Sequence, residues 1–275
     1  MPIVLIEPRG FCRGVRQALE LLDRALQENP VYVLNEIVHN KTIIAAYQQK
    51  GACFVQNIQD APPGSRIVFS AHGVPPETRR EAIQRGLKII DATCPLVQKV
   101  HAEAIEFTRR HIPIIYLGHK NHEEVRGVCG EAPQNITLIE SIDDIQLIPR
   151  GRRQYAVLTQ TTLNIEDTQK IIAALKKDFQ IIEPKQKDIC YATAARQEAV
   201  RKTAPQVEAV LIIGSQNSSN SIRLKEIAEA AGAKAYLADS YRDLPADIKK
   251  YKSIGITAGA SAPEYLVQEC LAYLA

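Results

Sequence analysis

Three cysteines of this 275-residue chain, Cys12, Cys94 and Cys190, occupy one repeated local setting. Each follows a short β-rich run carrying an acidic residue near its end, then a brief loop, and each precedes a helix-like segment. The runs cover residues 3–8, 87–91 and 180–184. From Cys12 to Cys94 is 82 residues and from Cys94 to Cys190 is 96; passing from Cys190 round the chain ends back to Cys12 is 97. Three similar units that each deliver one thiolate to a loop predict three lobes meeting at a shared centre. Soft sulfur ligands there suit a metal cluster.

Charge and length narrow the class. Thirty-four basic against 31 acidic side chains leave a formal charge of +3 with no basic run of five or more, so nucleic acid is not an expected partner. A small anionic substrate is compatible with that balance. No apolar stretch approaches ~18 residues, so no membrane span is expected, and the run at residues 3–6 is too short for a signal-peptide core. Six cysteines are too sparse for a disulfide scaffold. The expected setting is a reducing cytoplasm, where clustered thiols read as metal or redox chemistry. Cys53 and Cys270 lack the repeated setting and read as buried small apolar side chains, and Cys129 lacks it too.

Short apolar, β-branched runs at 31–34, 67–70, 112–117, 155–158, 210–213 and 254–257 alternate with helix-like segments such as 76–85, 168–177 and 222–231. That alternation predicts an α/β class with mainly parallel strands. Laid over one another from each cysteine, the units reach a polar loop at matching distances: His39 is 27 residues after Cys12, His122 is 28 after Cys94 and Ser218 is 28 after Cys190. A later strand in each unit ends in a second polar cluster, Ser70–His72, Thr159–Thr162 and Thr257–Ser261. Both loops then fall at the carboxyl ends of strands, where open α/β sheets bind ligands. The expected lobes are residues 13–94, 95–190 and 191–275. Because the third lobe lacks a last strand and the chain begins with one, residues 1–12 should complete the third lobe's sheet.

Three thiolates on a [4Fe–4S] cluster would leave one iron without a protein ligand, since four is the usual complement. His39, His72 and His122, in corresponding loops, can donate ring N–H groups to one anion. Ser218, Ser219 and Asn220, with Ser261, lie before helix-like runs, where backbone N–H groups and hydroxyls meet anions or simply cap the helix. Of Glu123 and Glu124, one carboxyl in a cavity of neutral donors can stay protonated and act as general acid, although acids at a helix start also serve its dipole. His119 and His122 have the spacing of a zinc pair, while His101 and His111 read as structural.

Nine motifs in order resemble the 4-hydroxy-3-methylbut-2-enyl diphosphate reductase family over essentially the whole chain. They are Gly10-Phe11-Cys12-Arg13-Gly14-Val15, Glu36-Ile37-Val38-His39-Asn40, Ser70-Ala71-His72-Gly73-Val74, Asp91-Ala92-Thr93-Cys94-Pro95, Gly118-His119, Thr159-Gln160-Thr161-Thr162, Asp188-Ile189-Cys190-Tyr191-Ala192-Thr193, Asn217-Ser218-Ser219-Asn220-Ser221 and Thr257-Ala258-Gly259-Ala260-Ser261. The resemblance implies three α/β lobes in pseudo-threefold arrangement around one [4Fe–4S] cluster held by Cys12, Cys94 and Cys190. It implies an allylic diphosphate bound by His39, His72, His122, Ser218, Ser219, Asn220 and Ser261, with Thr161 near the substrate hydroxyl and Glu124 as proton donor. The implied reaction is a two-electron reductive dehydroxylation to isopentenyl and dimethylallyl diphosphate, with a ferredoxin or flavodoxin as electron donor. One departure stands out: His122-Glu123-Glu124 replaces the family's usual His-Pro-Glu. Two other readings compete, a non-catalytic iron–sulfur sensor or scaffold and a zinc hydrolase built on His119 and His122.

Overall fold

The computed structural model describes residues 2–28, 30–151 and 154–275. Strands and helices alternate along them: β1 (Ile3–Leu5), α1 (Arg13–Ala25), β2 (Val31–Leu34), α2 (Lys41–Gln49), β3 (Ala52–Val55), β4 (Arg66–Phe69), α3 (Pro76–Gln84), β5 (Lys88–Asp91), α4 (Pro95–Arg109), β6 (Ile114–Leu117), α5 (Glu123–Glu131), β7 (Ile136–Ile139), β8 (Gln154–Thr159), α6 (Ile165–Asp178), β9 (Gln180–Ile182), α7 (Tyr191–Thr203), β10 (Ala209–Ile213), α8 (Ser219–Ala230), β11 (Lys234–Ala238), β12 (Ile254–Ala258) and α9 (Glu264–Leu274). No helix among the described residues is long and apolar enough to cross a membrane.

The strands form three four-stranded sheets, ordered β11-β10-β12-β1, β3-β2-β4-β5 and β7-β6-β8-β9. Every pairing is parallel. The three orders are one pattern, with the second strand of each set at the edge, then the first, third and fourth. β1 takes the fourth place beside β12, pairing Ile3 with Ile254 and Leu5 with Ile256. That is the partner which the circular spacing of the cysteines requires. Its seat is tight: Ile6 N–H donates to Ile256 O at 2.8 Å, and a Cβ on Gly255 would meet Ile6 Cδ1 at 2.9 Å.

By contacts the chain divides into two compact units, Met1–Arg16 with Val38–Lys50 and Tyr191–Ala275, and Gln17–Ile37 with Gly51–Cys190. The first holds the sheet of β10 and β12, in which every residue of both strands is buried. Such continuous apolar runs belong to parallel strands covered on both faces. Alternate residues feed the two faces: Leu211, Ile213 and Ile256 pack with Leu266, Val267 and Cys270 of α9, while Val210 and Ile212 pack with Val200 of α7 and Leu224 of α8. The second unit repeats this device around β6 and β8. Ile115, Leu117 and Val157 pack with Ile171 and Leu175 of α6, and Ile114, Tyr116 and Leu158 with Val100 and Phe107 of α4. In its other sheet, Ile67 and Phe69 pack with Ala82 of α3.

Cys270 lies in the core as expected, but Cys53 is exposed. β3 is an edge strand, and its alternation turns Ala52 inward and Cys53 out. Gly214 and Gly259, just past β10 and β12, leave room for the hydroxyl of Ser221 in the first turn of α8; a Cβ at either would collide with Ser221 Oγ. Gly259→Ala should therefore cost about 1–3 kcal/mol, as overpacking does, read from the midpoint of chemical denaturation. An unchanged midpoint would mean that this turn can yield.

Candidate active site

Each of the three cysteines sits where a strand's loop enters a helix. Cys94 is the N-cap of α4, and Cys12 and Cys190 immediately precede α1 and α7. Helix N-termini favour negative charge such as that of a sulfur ligand, and Cys12 Sγ accepts from Val15 N–H at 3.4 Å. The main-chain bonds repeat as well: Cys12 N–H donates to Ala260 O at 3.0 Å, Cys94 to Ala71 O at 3.0 Å and Cys190 to Thr161 O at 3.1 Å. Ala71, Thr161 and Ala260 are thus equivalent, each two residues beyond β4, β8 and β12. None of the six cysteines is in a disulfide. Burial pushes the thiols of Cys129 and Cys270 up, to about 11 and about 12, so both stay protonated at neutral pH.

The first polar loops align at the helix caps. Asn40, His122 and Ser218 are the N-caps of α2, α5 and α8, each 28 residues past its cysteine. Asn40, one residue beyond the histidine that sequence matching selected, is therefore the counterpart of His122 and Ser218. Its Oδ1 accepts from Ile43 N–H at 3.0 Å, and its Nδ2 is buried without a hydrogen-bond partner. In the same unit, Ser261 Oγ donates to His39 O at 2.8 Å, and Ser221 Oγ donates to Ser218 Oγ at 3.1 Å. Ser219 and Asn220 begin α8, both buried, and neither Oδ1 nor Nδ2 of Asn220 has a hydrogen-bond partner. Buried amides are rarely left unpaired. The fold thus keeps two of them, Asn40 and Asn220, at helix starts beside hydroxyls.

In the second unit, Glu124 is 1% exposed. Its Oε1 accepts from Thr161 N–H at 2.7 Å and its Oε2 from Thr161 Oγ1 at 2.9 Å. Burial raises the Glu124 carboxyl to about 7; the two Thr161 bonds oppose that rise, and the charge of Asp188 adds to it. Asp188, two residues before Cys190, had no role assigned from sequence beyond its motif. Its Oδ2 accepts from Thr159 N–H at 2.9 Å and its Oδ1 from Lys99 Nζ at 2.7 Å, which ties the Cys190 loop to β8 and α4. The acidic residue marking each cysteine setting is also paired: Glu7 with Arg9, Asp91 with Arg79 and Glu183 with Lys176.

His122 and His72 have rings 5.7 Å apart, edge to face. His122 Nδ1 accepts from Glu124 N–H at 3.2 Å, while His119 Nδ1 lies 3.3 Å from Glu140 Oε2. Glu123 Oε2 is 3.2 Å from His72 Nδ1. His101 Nδ1 pairs with Glu131 at 2.7 Å, as a structural histidine would.

Residues 3–275 match the family model described as LytB protein. The chain belongs to the LytB family. Similar curated relatives include the 4-hydroxy-3-methylbut-2-enyl diphosphate reductases of Ralstonia nicotianae, 48% identical over 97% of this chain and 84% of the relative, and of Methylococcus capsulatus, 45% identical over 100% and 90%. Among solved structures, the E-1-hydroxy-2-methyl-but-2-enyl-4-diphosphate reductase from Plasmodium falciparum superposes with a TM-score of 0.95 at 35% identity, covering 99% of this chain and 87% of that one. The LytB match therefore extends over both compact units and all three sheets.

Proposed function

We propose that this LytB chain reduces 4-hydroxy-3-methylbut-2-enyl diphosphate to isopentenyl diphosphate and dimethylallyl diphosphate. Two electrons and two protons enter, the allylic C–O bond breaks, water leaves, and a C–H bond forms at one or the other end of the allyl unit. The observation that carries the reading is the buried carboxyl of Glu124, held by both donors of Thr161 and raised to about 7. Such a group holds its proton about half of the time at neutral pH, and in that form Oε2–H donates to Thr161 Oγ1, the hydroxyl that relays it. Glu124 passes a proton to Thr161 Oγ1, and Thr161 gives its own to the departing hydroxyl. His39, His72, His122, Ser218, Ser219, Asn220 and Ser261 bind the diphosphate; the unpaired buried amide of Asn220 supports a ligand at the start of α8.

Cys12, Cys94 and Cys190 hold a [4Fe–4S] cluster, which when bound supplies the electrons and one iron open to substrate. Supporting this ligand set are the shared strand-to-helix setting, the repeated main-chain bonds and the softness of sulfur toward iron. The lobes run 13–94, 95–190 and 191–275, with 1–12 completing the third; the one strand order common to the three sheets supports that division. A ferredoxin or flavodoxin delivers the electrons, and the chain works in the cytoplasm, where thiols stay reduced. A sensor would use the cysteines but would leave the Glu124–Thr161 pair without a purpose.

Anaerobically purified protein should carry about four irons and four sulfides per chain and convert the allylic diphosphate to both products with a strong artificial reductant. Zinc in place of iron, or iron without turnover, would defeat the proposal. The turnover should also depend on pH in one direction. Because Glu124 acts protonated and its pKa is raised to about 7, kcat should be flat at lower pH and decline above about 7, approaching tenfold per unit. A profile that rises through that range would make Glu124 a base.

A further inference from the structure

We infer that Glu123, between His122 and Glu124, is a positioning residue that holds His72 as a cationic donor for the substrate's diphosphate. The inference rests on the proposed function for the identity of the anion. Glu123 Oε2 lies 3.2 Å from His72 Nδ1, and Ser70 Oγ is 3.4 Å from the same nitrogen and 3.5 Å from Glu123 Oε2. Ser70 Oγ also accepts from His72 N–H at 3.3 Å. All three side chains are on one unit, and those of His72 and Glu123 are largely withdrawn from solvent, at 16% and 20% exposed.

The ring's two nitrogens then have separate tasks. A carboxylate only accepts, so Nδ1 of His72 must carry a hydrogen toward Glu123. In a neutral ring that leaves Nε2 as a bare acceptor, which would repel a phosphate oxygen. With both nitrogens protonated, Nδ1–H faces Glu123 and Nε2–H faces the anion. His122 has the opposite assignment: its Nδ1 accepts from Glu124 N–H, so its neutral ring already offers Nε2–H. Two rings 5.7 Å apart therefore present one neutral and one cationic donor.

This arrangement also accounts for an acid beside an anion site. An unpaired Glu123 would oppose the diphosphate; paired with His72, its charge is cancelled and its oxygen fixes the ring. Hydrogen bonds between charged partners are the strong, orienting ones.

The test is a double-mutant cycle on the cluster-loaded protein, read by calorimetric binding of inorganic diphosphate and by steady-state kinetics with the allylic substrate. Glu123→Ala should weaken inorganic diphosphate by about tenfold, as loss of a charge-assisted bond does, and raise KM similarly with kcat within about twofold. Glu123→Gln, which keeps an oxygen for Nδ1–H but not the charge, should fall between. In a His72→Ala background, Glu123→Ala should have no further effect. Nitrogen-15 spectra of the diphosphate complex should show both ring nitrogens of His72 protonated. Unchanged binding in Glu123→Ala, or an undiminished effect without His72, would overturn the inference, as would a wild-type chain that binds no inorganic diphosphate. Failure to reduce the allylic substrate would instead defeat the proposed function, because the binding cycle is read independently of turnover.

Discussion

Glu124→Gln should give a protein that folds, keeps its iron and binds the allylic diphosphate, yet turns over on the order of 10²–10⁴-fold more slowly. The amide retains the volume and an oxygen for Thr161 N–H, and Thr161 Oγ1 can rotate to accept from the new NH₂ group. What disappears is the acidic proton. The same change should stabilise the fold at high pH. Burial raises the Glu124 carboxyl from the ordinary 4.5 to about 7, so between those values the folded chain binds more protons than the unfolded one. Stability therefore falls as pH rises through that window and stays reduced above it, by roughly 3 kcal/mol for a shift of this size. Glutamine has no charge to bury, so the variant should melt above the parent at pH 8, and the difference should vanish below about pH 4.5. Equal melting at pH 8 would place the carboxylate in contact with water. Glu123→Gln is the paired control, expected to affect KM more than kcat. If Glu123→Gln is the inactive protein and Glu124→Gln the active one, the donor is off by one residue. If both turn over normally, the proton has another source.

The strands that sequence reveals are those which the cysteine argument needs. β2, β4, β6, β8, β10 and β12 are short apolar runs ahead of a polar loop, and the loops follow from them. The strands it passes over, β3, β7 and β11, stand at the edge of each sheet. β3 is Ala-Cys-Phe-Val and β11 is Lys-Ala-Tyr-Leu-Ala, half-exposed sequences with one β-branched residue between them. β7, Ile-Thr-Leu-Ile, is as apolar as an inner strand, but it lies between the two polar loops and leads into neither. In the site, residue types and offsets brought out the Glu123–Glu124 pair, the Thr159–Thr162 cluster and the histidines, and the family resemblance singled out Glu124 and Thr161 within them. Side-chain partners were not legible: nothing in the order of residues says that Asp188 reaches Lys99 and β8, or that Glu123 meets His72 rather than the helix dipole. Those contacts join positions 29 to 89 residues apart. Spacing also misaligned one loop by a residue, because a histidine is a louder signal than the asparagine that caps α2.

Replacing Cys12, Cys94 or Cys190 singly with serine should abolish both iron retention and turnover, while Cys53→Ser and Cys270→Ser keep both. A hydroxyl is a hard, weakly acidic ligand, and iron in a sulfur cluster prefers soft thiolate. The loss should not come from misfolding. Each of the three is only partly buried and is fixed by a main-chain bond that serine preserves, Cys12 to Ala260, Cys94 to Ala71 and Cys190 to Thr161. Melting of the metal-free variants should therefore match that of the metal-free parent. Cys270→Ser should behave oppositely, with iron intact and a lower melting temperature, because it places a hydroxyl in the core beside Leu266 and Val267. Cys53 is exposed on an edge strand and should be silent in both measurements. Iron and sulfide analysis with the cluster's visible absorption, alongside thermal melts of metal-free protein, separates ligand loss from fold loss. Full iron content in any of the first three variants would remove that cysteine from the ligand set. The equivalence of the three units would then describe the fold's repetition without describing its chemistry.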